Sequence, residues 1–169
     1  SMKNHGLAPG AAWGAYERLG FNYHISDMQC ALGIVQLDRI NESIAKRARI
    51  TAWYDDCLRA SPLLHVPQPP RAQQISRFMY VIRLADQYTA KERDEVIARL
   101  AQRGIAARNY FPVIHLSTFY KKVFGYKRGD FPIAEHIADR SIALPFFNKL
   151  FRRDVVRVAK NLIDILTAL

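Results

Sequence analysis

Cysteine is nearly absent from this sequence: Cys30 and Cys57 are its only two. Two thiols cannot staple a disulfide scaffold. On one continuous helix they would stand about 40 Å apart, far beyond the reach of a bridge. No Cys/His grouping has the spacing of a zinc site. Long hydrophobic runs are also missing, so no stretch reads as a membrane span, and the first residues lack a signal-peptide pattern. The Gly-x-Gly-x-x-Gly turn, the phosphate-binding loop, the Gly-x-Ser-x-Gly elbow and the zinc-protease helix do not occur. His5, His24, His65, His115 and His136 are scattered and, taken singly, read as structural or surface groups. These absences leave a cytoplasmic protein without a metal site or a visible catalytic constellation as the expectation.

Acidic residues are scarce. Fifteen face 25 basic ones, for a net charge of +10. A solvated basic surface accounts for this, and so does an anionic ligand such as a nucleotide or phosphate. Nucleic-acid binding is the weakest account, because no matching motif accompanies the charge.

What is present suffices for a core. Half of the 169 residues are hydrophobic and 24% are charged, the balance of a globular chain. Residues 20–58 organise it. Ser26 and Gln29 form a capping box, Asp27 suits the first turn, and Ile25 and Cys30 offer a weak staple. Met28, Leu32, Val35, Leu37, Ile40, Ile44, Ala48, Trp53, Tyr54 and Leu58 follow at helical period. One long helix is expected, with two shorter ones as the alternative. Ser1 before Met2 has the look of a cloning remnant. Residues 1–19, broken by Gly6, Pro9, Gly10 and Gly14, read as chain entering from a preceding element. Asn22 stands just outside the helix start between two aromatic rings. Its amide could donate to an anion there or bond its own backbone as a turn residue.

Residues 61–77 read as a linker, since Pro62 ends the helix and Pro67, Pro69 and Pro70 keep the chain extended. Phe78 to Leu84 predicts a strand covered on both faces. Thr89 and Glu92 box the next helix, which Arg103 and Gly104 close. Ile105 to Phe111 predicts a second strand. A short helix or ordered loop fits 115–125. Asp130 is expected to cap a helix whose Ile133 and Ile137 face the core. Ile142 to Leu144 predicts a third strand. The last helix, 152–168, lacks a capping residue at Phe151. The domains are thus a lead-in and connecting helix (1–60), the linker (61–77) and a small α/β domain (78–169).

At this point a resemblance emerges. Gly20-Phe21-Asn22-Tyr23-His24-Ile25-Ser26-Asp27-Met28-Gln29-Cys30-Ala31-Leu32-Gly33 resembles Gly-Tyr-Asn-Tyr-Arg-Met-Ser-Asp-x-Gln-Ala-Ala-Leu-Gly of the PLP-dependent sugar aminotransferases, the DegT family. Gly104-Ile105, then Asn109-Tyr110-Phe111-Pro112-Val113-Ile114-His115-Leu116, resembles that family's Gly-Ile and His-Tyr-x-Pro-x-His-Leu. Asn4-His5-Gly6, Phe124-Gly125-Tyr126, Gly129-Asp130-Phe131-Pro132-x-Ala134-Glu135 and Leu144-Pro145-x-Phe147 also match in order.

The resemblance implies an α/β fold (an α+β small domain). It has a long N-terminal helix, then a small sheet of about three strands with packed helices, like the C-terminal domain of fold-type I PLP enzymes. It implies pyridoxal 5'-phosphate in a longer parent enzyme that moves an amino group, with glutamate as donor, to a nucleotide-linked keto sugar. The family's cofactor lysine has no counterpart here, so no covalently bound cofactor and no activity are expected of this chain alone. Asn22 and His24 are implied as cofactor-binding residues reaching a neighbouring subunit, with His24 where the family has Arg. His115 and Asn109 are implied as substrate-binding, Asn109 replacing the family's first histidine. Expected partners are the nucleotide sugar, a second copy in a dimer or higher oligomer, and a missing large domain or separate chain. Nucleic acid and membrane are not expected. A non-catalytic module serving a separate catalytic chain is the alternative.

Overall fold

The computed structural model describes residues 5–7, 10, 16–68 and 75–169. Ser1, Met2, Asn4, Pro9, Gly14, Pro69 and Pro70, named above, lie outside them. The chain forms two compact units, residues 1–41 and 42–169. No helix among the described residues is long and apolar enough to cross a membrane.

In the first unit two backbone stretches lie against each other. His5 N–H donates to Phe21 O, Glu17 N–H donates to Gly6 O, and Leu7 bridges Tyr16. The approach demands glycine at two places. A Cβ on Gly20 would stand 2.0 Å from Gly6 N, and one on Gly6 would stand 1.8 Å from Arg18 O. Helix α1 (Asp27–Asp38) follows. Ser26 Oγ accepts Gln29 N–H, and Gln29 Oε1 accepts Ser26 N–H at 3.0 Å, closing the expected box. None of its residues is buried.

Helix α2 (Ile40–Leu58) begins one residue later. The helical stretch expected over 26–58 is present but interrupted at Arg39, where φ is −100° and ψ is 6°. Neither proline nor glycine stands there to account for it. In α2 the apolar stripe meets the core: Ile50, Tyr54 and Leu58 are buried. Tyr54 stacks on Tyr80 at 4.6 Å, and its hydroxyl donates to Pro145 O at 2.8 Å. Tyr80 donates to Asp55, whose other oxygen takes Arg59.

Among the described residues the sheet has four strands, all antiparallel to their neighbours: β1 (Leu64–His65), β2 (Tyr80–Leu84), β3 (Arg108–Asn109) and β4 (Ser141–Leu144). Their spatial order is β1-β2-β4-β3. Tyr80 faces Leu144 and Ile82 faces Ile142, while Asn109 faces Ile142 from the other side. β2 and β3 therefore run parallel, with β4 between them. β2 is not equally covered on both faces, as its apolarity had suggested. Tyr80, Ile82 and Leu84 are fully buried, whereas Val81 and Arg83 are partly exposed. β1 lies within the expected linker, and its Leu64 is buried.

The strand expected over 105–111 is only two residues long, because the preceding helix stop consumes its start. Helix α3 (Ala90–Gln102) opens on the Thr89–Glu92 box. It closes with Gly104 at φ +71°, and Ile105 N–H reaches back to Leu100 O at 2.9 Å. That is the glycine stop with a buried apolar residue beyond it. Helix α6 (Arg152–Thr167) buries Val155, Val158, Leu162 and Leu166 and packs on α3. Phe151 gives it no side-chain cap, but Asp154 Oδ2 accepts Phe151 N–H at 3.2 Å. One core joins α2, β2, β4, α3 and α6. A fully buried Leu or Val there contributes about 1.5–3 kcal/mol by removal from water.

Candidate functional site

Two places carry the residues singled out by the sequence. The first is the lead-in to α1. Phe21 and Tyr23 stack at 5.1 Å on either side of Asn22 in sequence. Asn22 Oδ1 accepts His24 N–H at 3.4 Å, so the turn reading of this residue holds for its oxygen. The exposed amide keeps its N–H donors on Nδ2, beside a capped helix start that favours anions. His24 is exposed, its ring 6.2 Å from that of His5. Residues 16–41 contain no lysine. The described residues of this corner can therefore hold a phosphate through neutral donors, and none of them carries a side-chain amine with which to bond an aldehyde.

The second place is in residues 42–169. β3 runs out through Tyr110 to Val113 into a single 3-10 turn, Ile114–Leu116. Helix α4 (Thr118–Phe124) follows and stops on Gly125 at φ +72°. A turn then leads to helix α5 (Pro132–Arg140). Together these enclose an open apolar cleft of about 610 Å³. Its walls include Tyr110, Phe111, Tyr120, Tyr126, Phe131 and Ile137, with His115 among them. His115 lies edge-on to Tyr126 at 6.3 Å and tilted on Phe131 at 4.8 Å.

Glu135 organises this site, and the sequence reading gave it no role. It is 6% exposed. Oε1 lies 2.9 Å from His115 Nε2, and Gly129 N–H reaches both carboxylate oxygens at 2.9 and 3.0 Å. Phe131 N–H adds a longer contact at 3.4 Å. Burial opposes ionisation of this carboxyl, but the N–H groups of Gly129, His115 and Phe131 outweigh it and hold its pKa below the usual value.

α5 thus departs from its expected form. Asp130 does not cap it; its carboxylate accepts Lys127 N–H in the preceding turn. Ile133 and Ile137 do not face the core, being 76% and 46% exposed, while Glu135 and Ala138 are the buried pair. The reason is local: the backbone N–H groups of Gly129 and Phe131 need an acceptor, and a buried carboxylate supplies it. The signal available in sequence was a glutamate in the first turn of a helix whose cap position is a phenylalanine.

Asn109 and His115 do not share a cleft. Asn109 lines a second, more polar one of about 410 Å³ with Arg93, Arg128 and Asp139, behind the Pro112–Ile114 segment. Its Oδ1 is buried without a hydrogen-bond partner among the described residues. Arg93 is 6% exposed, donates to Ala138 O at 2.8 Å, and its Nε lies 2.7 Å from Asp94. No group of three or more metal-ligating side chains occurs among the described residues.

Known proteins give the arrangement a context. Residues 1–163 match the DegT/DnrJ/EryC1/StrS aminotransferase family. The spore coat polysaccharide biosynthesis protein SpsC of Bacillus subtilis is 28% identical over 172 aligned positions, covering 95% of this chain and 44% of that protein. A Campylobacter jejuni UDP-4-amino-4,6-dideoxy-N-acetyl-β-L-altrosamine transaminase is 26% identical, covering 98% and 43%. Among solved structures, the PLP-form of a sugar aminotransferase, Spr1654 of Streptococcus pneumoniae, superposes with a TM-score of 0.88 at 25% identity, covering 99% of this chain and 42% of that one. Helicobacter pylori PseC shares the fold with a TM-score of 0.87 at 21% identity, covering 99% and 45%. The chain spans less than half the length of these relatives. The pneumococcal protein is known in PLP and PMP forms. The ordered motifs, the small antiparallel sheet and the match across nearly every residue lead to one conclusion: the chain belongs to the DegT/DnrJ/EryC1/StrS aminotransferase family.

Proposed function

We propose that this chain is the C-terminal portion of an aminotransferase that acts on nucleotide-linked keto sugars, with glutamate as donor, and that it is inactive alone. The observation that carries the reading is the aromatic cleft with its single carboxylate-bound histidine. Flat rings suit the apolar faces of a sugar and a base, and a few placed polar groups fix orientation. The Campylobacter relative acts on a UDP-linked sugar, which makes uridine diphosphate the expected carrier.

Pyridoxal phosphate, when bound, supplies the electron sink through which an amino group passes from donor to acceptor. The residues here do the rest of the holding. Asn22 Nδ2 would donate to a phosphate oxygen of the cofactor, and His24 would stand beside it where the family has arginine. The walls formed by Tyr110, Tyr120, Tyr126 and Phe131 exclude water from the sugar. In the longer parent a lysine outside these residues would supply the amine for the cofactor, and a second copy of the protein would complete the site.

Nuclear magnetic resonance with UDP-N-acetylglucosamine tests the reading on the chain as it stands. Amide signals of Tyr110 to His115 and Tyr126 to Phe131 should move saturably. Silence throughout both segments would refute it. Adding pyridoxal phosphate, glutamate and a UDP-linked keto sugar should yield no amino sugar; turnover abolished by replacing one lysine of this chain would overturn the inactive assignment.

A further inference from the structure

Three nitrogens converge on the Glu135 carboxylate. Gly129 N–H addresses both oxygens, Phe131 N–H points at one, and His115 Nε2 lies 2.9 Å from Oε1. The two backbone N–H groups can only donate, so they favour the ionised, acceptor-only carboxylate. A nitrogen at 2.9 Å from such an oxygen must carry the hydrogen. In the one-proton form of the imidazole, the other nitrogen, Nδ1, is then bare. Nδ1 has no partner among the described residues, and the ring lines the apolar cleft.

We propose that Glu135 is a positioning residue that holds His115 as its Nε2–H form, so that Nδ1 accepts a hydrogen bond from a substrate sugar hydroxyl rather than donating one to phosphate. The proposal rests on the reading of the cleft as a sugar-nucleotide site. It assigns the histidine to the sugar and not to its charged carrier. It also explains why a charged residue occupies the buried face of α5: two helix-entry N–H groups hold the carboxylate, and the carboxylate fixes the ring.

The test uses the full 169-residue chain with labelled histidine. Long-range proton–nitrogen correlation at pH 8 should show His115 protonated on Nε2. Protonation on Nδ1 would overturn the proposal without any variant being made. Glu135→Gln offers one oxygen where the carboxylate has two, so the tautomers should mix, and Glu135→Asp should restore part of the Nε2–H signal. The amide spectrum of each variant reports whether it folds. Binding of UDP-N-acetylglucosamine should weaken about tenfold in Glu135→Gln, the loss of one well-made hydrogen bond, while binding of UDP alone stays within about twofold. Equal weakening of both ligands, or of neither, would refute the positioning role and leave the cleft as a nucleotide-sugar site. If neither ligand moves any cleft signal in the unaltered chain, the functional reading fails and takes this proposal with it.

Discussion

Tyr54 shows how one side chain can carry several constraints. Its ring is fully buried against Tyr80, and its hydroxyl satisfies the Pro145 carbonyl at 2.8 Å. Tyr54→Phe strands that carbonyl and should cost about 1 kcal/mol, read as a lower urea midpoint. Burial, with Cys57 and Asp154 nearby, pushes the Tyr54 hydroxyl well above its ordinary pKa of 10.0. Burial and the hydrogen bond to Asp55 do the same for Tyr80. A raised phenol contributes stability that is whole below pH 10 and is lost as pH climbs toward the folded value. Unfolding at pH 11 should therefore need less urea than at pH 9, with Tyr54 contributing up to about 1.4 kcal/mol per pH unit. Glu135 has the opposite sign. Its depressed carboxyl stabilises the fold above the ordinary 4.5 and ceases to do so as pH falls below it. The His115 signal should shift together with that acid transition. The core tyrosine was legible in sequence as one member of an apolar stripe. Glu135 was not, because periodicity counts apolar residues and α5 buries its carboxylate while exposing Ile133.

Caps behave differently according to what their helix packs on. Thr89 caps α3, whose Val96 and Leu100 lie in the core. Thr89→Ala should cost about 1 kcal/mol, or about 4 °C in the melting midpoint. Ser26 caps α1, which buries nothing among the described residues. Ser26→Ala should fray α1 in hydrogen exchange and leave that midpoint unmoved. At α6 the capping position is vacant of any acceptor, and Phe151 is 61% exposed. Phe151→Ser should raise the midpoint, gaining about 0.5–1 kcal/mol less the contact of Arg153 with the ring at 5.2 Å. Both capping boxes could be read from four-residue windows, since they depend on local spacing. The shortened β3 and the added β1 could not. Each consists of two residues paired to partners distant in sequence, and no local pattern records such pairing.

At the level of the whole chain, apolar surface without cover is the dominant feature of α1. Met28, Leu32, Val35 and Leu37 are between 52% and 83% exposed. A stripe of this kind drives association. Light scattering should show a mass above that of a monomer, and Leu32→Glu with Val35→Glu should lower it. The fold class and the small sheet were legible because strong helices and one good strand punctuate residues 78–169. The separation of Asn109 from His115 was not, because it depends on how the Pro112–Ile114 segment divides two clefts.

The order β1-β2-β4-β3 also governs when this region can assemble during synthesis. β3 pairs only with β4 among the described strands, and β4 is made more than thirty residues later. Until residues 141–144 leave the ribosome, Arg108 and Asn109 have no strand to pair with, and the segment carrying His115 lacks that anchor. A nascent chain stalled before that point would lack α6 as well, and would hold most of the residues of its pocket without the strand pairing that fixes them.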